Sequence, residues 1–113
     1  MWELDDRNPE HCAAKERICG HCVKPESVQM TRTADVDLTL IPLTKDAVLE
    51  ALRLHIQSKR RIYGDRMDNG DHVHVVTDCE VDGTILYVKV KFLVAAGAER
   101  MLVISAHPPR RWC

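Results

Sequence analysis

Apolar and polar residues alternate along three stretches in the second half of the chain. These stretches are HVHVVTDCEV at residues 72–81, TILYVKVKFLV at 84–94 and ERMLVISAH at 99–107. Period-two alternation is typical of strands with one buried face. The Asp82-Gly83 pair is a strong signal for a tight hairpin turn, and AAGAE supplies a second turn. The pattern predicts a three-stranded antiparallel meander.

A helical period replaces this alternation in LTKDAVLEALRLHIQSKRRIY, residues 43–63. Thr44 suits the N-cap, and Asp46 brings negative charge to the first turn, where the helix dipole favours it. The basic run at residues 59–61 is expected in the last turn, with Gly64 ending the helix. The apolar residues that share one stripe at helical spacing are Val48, Leu49, Leu52, Ile56 and Tyr63.

The first part of the chain is less regular. Apolar residues recur at even positions between residues 28 and 40, which predicts strand structure that Pro42 stops. Residues 1–26 are polar, contain Cys and His, and hold too few apolar residues to fold alone, so we expect an arm there. Residues 27–113 are expected to form a single domain.

These elements together predict an α+β fold. An N-terminal Cys/His arm and one or more strands precede one amphipathic helix, which packs on a three- or four-stranded antiparallel sheet.

The composition is ordinary for one soluble globular domain. The chain has 113 residues, of which 45% are hydrophobic and 29% charged. No apolar run approaches the roughly 18 residues that a membrane span needs. The first residues also lack the basic and apolar regions of a signal peptide. We therefore expect a cytoplasmic protein without a membrane partner, whose five cysteines stay reduced.

The charge is unevenly spread, although the formal net charge is only −1. Residues 1–50 hold 6 basic and 10 acidic side chains, whereas residues 51–113 hold 10 basic and 7 acidic ones. The second half is therefore mildly basic. This distribution permits a phosphate-bearing ligand without requiring one.

Strand alternation predicts which side chains face away from the helix. The residues expected in the core are the odd-numbered apolar residues of the first strand, the even-numbered ones of the second, and Leu102, Ile104 and Ala106 of the third. The opposite, open face is then expected to carry His72, His74, Tyr87, Lys89, Lys91, Ser105 and His107.

Such a face has the groups for metal-free cleavage of RNA. Histidine or tyrosine can move a proton, and lysine can stabilise charge on the non-bridging oxygens of a phosphate. Tyrosine can also stack on an unpaired base. The alternative is that these residues are simply the solvated face of an antiparallel sheet.

The segment RICGHCVKP contains Cys19 and Cys22 in a Cys-Gly-His-Cys motif that protein disulfide isomerases also have. A redox pair of this kind follows a buried strand and opens a helix, which lowers the pKa of the first thiol. Neither flanking segment has that character, so disulfide exchange is disfavoured. Metal binding and reduced structural thiols remain as alternatives.

A structural zinc site is the cofactor that this region suggests. Tetrahedral zinc takes four soft or borderline ligands, and two cysteines spaced by two residues can bind one ion. Cys12, Cys19 and Cys22 supply three ligands, and we take His11 as the fourth, a position that His21 or Cys79 could also fill.

The stretch DGTILYVKVKFLVAAGAERMLVISAHPP resembles the C-terminal sheet of MqsR-type toxins, within the wider RelE-like ribonuclease fold. The family has a Gly-x-x-Tyr-x-Lys strand, which Gly83, Tyr87 and Lys89 approximate with one extra residue. An apolar strand ending in serine with a basic residue shortly after it corresponds to Ser105 and His107. The resemblance spans residues 43–109.

The helix ending in QSKRRIY is similar to the basic helix that precedes that sheet, and Lys59 matches the family's helical lysine. The resemblance implies cleavage of messenger RNA without a metal, held in check by a protein antitoxin. It implies proton transfer by or near Tyr87 and His107, with Lys59, Lys89 and Arg61 on phosphate. Further candidates for binding RNA are Arg60, Arg61, Lys91, His74 and Arg110.

Two functions are therefore open at this point. The first is a metal-independent endoribonuclease toxin that cleaves single-stranded RNA by attack of the ribose 2′-hydroxyl. The second is a non-enzymatic, zinc-stabilised interaction module that docks a protein partner through its sheet face or edge.

Overall fold

The computed structural model describes residues 1–109, which form an α+β domain with a six-stranded mixed sheet and three α-helices. The helices are α1 (Pro9–Cys22), α2 (Arg32–Leu40) and α3 (Lys45–Gln57). The strands are β1 (Trp2–Glu3), β2 (Val28–Met30), β3 (Tyr63–Arg66), β4 (His72–Val81), β5 (Thr84–Ala95) and β6 (Ala98–His107). The sheet order is β1-β3-β4-β5-β6-β2, and only β2 runs parallel to its neighbour, β6.

The predicted meander is confirmed by β4, β5 and β6, which pair antiparallel in chain order. Asp82 and Gly83 have φ values of 49° and 84°, and Ala96 and Gly97 have 54° and 77°. Two consecutive residues with positive φ match the right-handed twist of the flanking strands, so each pair makes a tight hairpin.

The predicted amphipathic helix is also confirmed, with different boundaries. Thr44 caps α3 by accepting a hydrogen bond from the backbone N–H of Ala47, and the predicted stripe from Val48 to Ile56 is buried. The helix ends at Gln57, so Gly64 is not its terminus. The basic run 59–61 follows the helix, and Tyr63 lies in β3.

The sequence suggested only a polar arm where the structure has α1. Asn8 caps this helix, and Pro9 at its first position has the fixed φ that a helix start needs. Ala14, Ile18 and Cys22 recur every four residues and are buried in the common core. This apolar stripe is only one residue wide, which explains why the polar composition around it hides the helical period.

The strand prediction for residues 28–40 holds only for β2 and is wrong for α2. Thr31 caps α2 by accepting a hydrogen bond from the backbone N–H of Ala34. Ala34 and Leu38 are one turn apart and buried, whereas Leu40 is 76% exposed. Leu38 and Leu40 therefore do not share a face, because residues two positions apart in a helix point in nearly opposite directions from its axis.

Two β-bulges reverse the side-chain alternation of the outer strands of the meander. In β4, Val76 and Cys79 pair with Val88 and Leu86 of β5, so Thr77 and Asp78 together face one residue. A bulge of this kind shifts the face of every residue beyond it. His74 and Val76 therefore share the helix-covered face with Cys79 and Val81, whereas Val73 and Val75 face the other way.

The prediction that His72 and His74 lie on the open face is therefore wrong. A second bulge lies in β6, where Val90 pairs with Val103 and Lys89 pairs with Ser105. Met101, Val103 and Ala106 consequently face the core, so the core assignment of Leu102 and Ile104 is also wrong. The unbulged β5 keeps its predicted facing throughout.

The helices of residues 1–109 include none long and apolar enough to cross a membrane.

The facing of α2 gives a direct test of this part of the fold. Leu38→Ala empties a buried site (3% exposed) and should lower the free energy of unfolding by about 2–5 kcal/mol. Leu40→Ala, two residues away, should change it by less than about 0.5 kcal/mol because that side chain is exposed. Urea denaturation of both variants provides the measurement. Equal losses would indicate a strand in this segment and contradict the helix.

Candidate functional site

Tyr87, Lys89 and His107 lie together on the face of the sheet that none of the helices within residues 1–109 covers. Tyr87 pairs in register with His107, and their rings stack with centroids 5.3 Å apart and an interplanar angle of 19°. The ammonium nitrogen of Lys89 lies 5.9 Å from the centroid of the Tyr87 ring. The structure thus brings together three of the four predicted catalytic residues, with Ser105 beside Lys89 in the next strand.

The hydrogen bond of His107 fixes which of its ring nitrogens carries the proton. Nδ1 lies 2.8 Å from the backbone carbonyl oxygen of Pro108. Because a carbonyl can only accept, Nδ1 donates, and the neutral ring then has its free lone pair on Nε2. This tautomer leaves Nε2 able to accept a proton from a substrate.

The open face is apolar between its polar groups. Val73 and Val75 are buried there, and Val75 lies in register between Tyr63 and Lys89. Leu102 and Ile104 are half-buried on the same face. A ligand on this surface would therefore contact aromatic rings and aliphatic side chains as well as charged ends.

Lys59, the fourth predicted catalytic residue, lies beside this face in the loop after α3. A cleft of about 560 Å³ is lined by Lys59, Arg60, Arg61, Tyr63, Thr77 and Asp78. The last two are the bulge residues of β4, which face Tyr87 across the strand pair. The basic cleft is therefore next to the Tyr87–His107 pair, without direct contact between Lys59 and those rings in the structure.

Two of the predicted RNA-binding residues in this cleft have carboxylate neighbours. Arg60 forms an ion pair with Asp78 at 3.2 Å, and Arg61 lies 3.8 Å from Glu3 with 74% of its side chain exposed. Exposed ion pairs of this kind contribute little to stability and can be exchanged for a phosphate.

The other predicted RNA-binding residues do not join this site. His74 lies on the helix-covered face against Phe92, with ring centroids 5.6 Å apart. Lys91 is on the open side of β5, but its ammonium group pairs with Asp71 at 2.8 Å, beyond the far end of β4. Arg110 lies outside the described residues.

The predicted zinc ligands are spread along one helix. His11 Nδ1 accepts a hydrogen bond of 2.8 Å from the backbone N–H of Asp5, and the Cys12 thiol donates one of 2.9 Å to the Asp6 carbonyl. Cys19 and Cys22 lie two turns or more further along α1. Within residues 1–109, no group of three His, Cys, Asp or Glu side chains is placed to hold one ion. This arrangement does not fit zinc, and the zinc site stays a prediction that elemental analysis of the purified protein tests.

Cys19 and Cys22 have the wrong environment for disulfide exchange. Both lie in the last turn of α1, where the helix dipole disfavours a thiolate, whereas a redox pair opens a helix. Burial raises the pKa of Cys22 to about 12, and the neighbouring Cys19 and Cys79 thiols act in the same direction. Burial likewise raises the pKa of Cys19, and it raises that of Cys79 to about 11.

Comparison of the chain with protein families, with curated proteins and with solved structures finds no match. The function has therefore to be argued from the site.

Sequence reasoning missed Tyr63 as a site residue. Tyr63 was assigned to the helix because it continues the helical spacing of the apolar residues after Ile56. The strand to which it belongs, β3, gives little signal because it has only four residues, one of them Gly64. The positive φ of 57° at Lys59 ends the helix without a glycine. The signal that could have revealed the end of the helix is the run of three charged residues, Lys59-Arg60-Arg61. This run leaves the expected last helical turn without an apolar face.

The buried thiols should be unreactive in the folded protein. Because their folded-state pKa is raised, Cys22 and Cys79 carry almost no thiolate near pH 8, and iodoacetamide should modify them far more slowly than the same cysteines in urea. Mass spectrometry of peptides after timed alkylation measures this. The same shift means that folding loses stability as pH rises above about 8.5, where only the unfolded thiols ionise. Rapid labelling of Cys22 in native buffer would contradict the described packing.

Proposed function

We propose that this protein is a metal-independent endoribonuclease that acts on single-stranded RNA. The observation that carries the proposal is the stacked Tyr87–His107 pair with Lys89 beside it on the uncovered face of the sheet. A phenol, an imidazole and an ammonium group at one place are the acid, base and charge-stabilising group that metal-free cleavage of a phosphodiester needs.

The geometry suggests a role for each group. His107 Nε2 accepts the proton of the ribose 2′-hydroxyl, whose oxygen attacks the adjacent phosphorus. Tyr87 donates its phenolic proton to the departing 5′-oxygen, and Lys89 stabilises the negative charge on the non-bridging oxygens. The P–O5′ bond breaks as the P–O2′ bond forms, so the products are a 2′,3′-cyclic phosphate and a 5′-hydroxyl.

The basic cleft supplies contacts to the RNA backbone on one side of this site. Lys59 and Arg61 would bind phosphates there, while Tyr63 offers a ring on which an unpaired base stacks. Contacts to phosphate make binding weaker as salt increases, because they release counterions. The near-neutral overall charge of the chain limits the contribution of these contacts, so we expect modest affinity.

Control by a protein antitoxin belongs to the same proposal. A protein that covers the open face would block Tyr87 and His107 from RNA, and acidic side chains on it would complement the basic cleft. A ribonuclease that attacks messenger RNA would need such a partner in the cytoplasm, where its substrate is.

A second candidate is a protein-interaction module without catalytic activity. The observation in its favour is the apolar content of the open face, where Leu102 and Ile104 of β6 are half-buried. A partner could dock on this face, whereas the zinc ion expected for such a module finds no set of three ligands among the described residues. Intact RNA after incubation with the protein in every buffer would favour this candidate.

Cleavage of a single-stranded oligoribonucleotide in buffer with EDTA tests the enzyme. Tyr87→Phe and His107→Ala should each lower the cleavage rate by roughly 10²–10⁴-fold, because each removes one proton-transfer group. Lys89→Met should lower it by about 10²–10³-fold, as loss of a charge-stabilising group does. Gel electrophoresis of end-labelled RNA gives the rates.

Two controls make the result specific. Lys24→Met removes an exposed lysine far from the open face and should leave the rate unchanged. Tyr87→Phe keeps the aromatic ring, so it should bind a non-cleavable 2′-deoxy analogue as well as the unaltered protein does. Full cleavage by Tyr87→Phe and His107→Ala, or a requirement for added metal, would refute the mechanism.

A further inference from the structure

A second cleft opens on the helix-covered side of the sheet, at the end of β4 and β5 away from the bulge of β4, and Lys91 contributes to its lining from the open side of β5. Its volume is about 560 Å³, within the range of small-molecule sites. Three elements and one loop contribute its lining residues, which are Arg17, Asp71, His72, His74, Lys91, Phe92 and Leu93. Apart from His72, His74 and Lys91, none of these residues entered the argument for RNA cleavage.

Arg17 has two partners at the edge of this cleft, the Phe92 ring and the Glu99 carboxylate. Its guanidinium carbon lies 4.0 Å from the centroid of the Phe92 ring, and Nε and Nη2 both donate to one carboxylate oxygen of Glu99. Glu99 is not among the residues that line the cleft. The pairing with Glu99 leaves Nη1 available as a donor that needs little reorganisation to bind an anion.

His74 provides a second donor at the inner end. Its Nδ1 atom is buried and has no hydrogen-bond partner among the described residues. An unpartnered lone pair at Nδ1 costs less than an unpartnered N–H, so the proton belongs on Nε2, the ring nitrogen that remains for a ligand. Burial lowers the pKa of His74 to about 4, and the charges of Arg17, His72 and His11 act in the same direction.

Both cationic side chains of the lining are paired with a carboxylate and keep free donors, Arg17 with Glu99 and Lys91 with Asp71. Lys91 forms an ion pair with Asp71, which uses one of the three donors of the ammonium group. Asp71 is the only acidic residue among those that line the cleft, against Arg17 and Lys91. Asp71 also accepts a hydrogen bond from the Asn69 side chain, which holds it against the loop at 3.2 Å.

We propose that this cleft binds a small oxyanion, of which a phosphate group is the best-matched class. Arg17, Lys91 and His74 line the cleft from α1, β5 and β4, and the donors that they keep free are Nη1, two N–H bonds of Nζ and the Nε2–H. Phe92 cannot stack on a ligand base, because Arg17, His21 and His74 already lie against its ring. The site thus fits the anion itself or a terminal phosphate, and it is independent of the proposed cleavage chemistry.

Binding of an anion in the cleft should be coupled to protonation of His74. The groups that surround this imidazole are Arg17, His11 and His21 of α1, His72 of β4, Asp71 of the preceding loop and Lys91 of β5. Positive charge at Arg17, His72 and His11 disfavours a charged His74. A bound anion offsets that repulsion, so it should raise the pKa of His74 from the value of the free protein.

Titration of the full chain with sodium sulfate tests the proposal, because the charge of sulfate does not change between pH 4 and pH 8. Isothermal titration calorimetry should detect saturable binding that Arg17→Gln and Lys91→Gln each weaken by about tenfold. Arg53→Gln is the matched control, since it breaks an Arg–Glu pair on α3 outside the cleft. Circular dichroism establishes that each variant is folded.

Two further measurements complete the test. The NMR titration of the His74 imidazole should show a higher pKa with sulfate than without it. A dinucleotide with a 5′-phosphate should compete with sulfate if the site takes terminal phosphates, whereas inorganic phosphate alone should compete if it takes the free ion. Absence of saturable sulfate binding, or equal binding by Arg17→Gln and Arg53→Gln, would overturn the proposal whatever the outcome of the RNA cleavage assay.

Discussion

The unbroken alternation of β5 is the constraint on which the rest of this structure depends. Its even-numbered residues face the helices and its odd-numbered residues face away over the whole length of the strand. Both neighbouring strands have a bulge and change their facing along the way. Because Tyr87 and Lys89 belong to the strand without a bulge, their position on the open face is fixed by the burial of Leu86, Val88 and Val90.

This constraint separates two kinds of chemistry on the two sides of one sheet. The open side has the stacked Tyr87–His107 pair, a lysine and an adjoining basic cleft. The helix-covered side has a cleft in which Arg17 and His74 are positioned by Phe92. The bulge of β4 produces this division, since it turns His74 toward α1 while Thr77 and Asp78 widen the strand next to the basic cleft.

The parts that sequence reasoning predicted are those in which local pattern and packing agree. Helix α3 has a wide apolar stripe and a side-chain cap, and the meander has a strong turn signal at Asp82-Gly83. Helix α2 was predicted as a strand because Leu38 and Leu40 share a parity that matters only in an extended chain. Bulges leave no comparable mark in a single sequence, so the facing of His74 could not be obtained by counting residues.

The central claim is that the open face cleaves RNA by attack of the 2′-hydroxyl without a metal. Analysis of the ends of the cleavage products tests this chemistry most directly. Mass spectrometry of an oligoribonucleotide cut in the presence of EDTA should show a 2′,3′-cyclic phosphate on the upstream fragment and a 5′-hydroxyl on the downstream one. Fragments with a 3′-hydroxyl and a 5′-phosphate, or RNA that stays intact, would contradict the account.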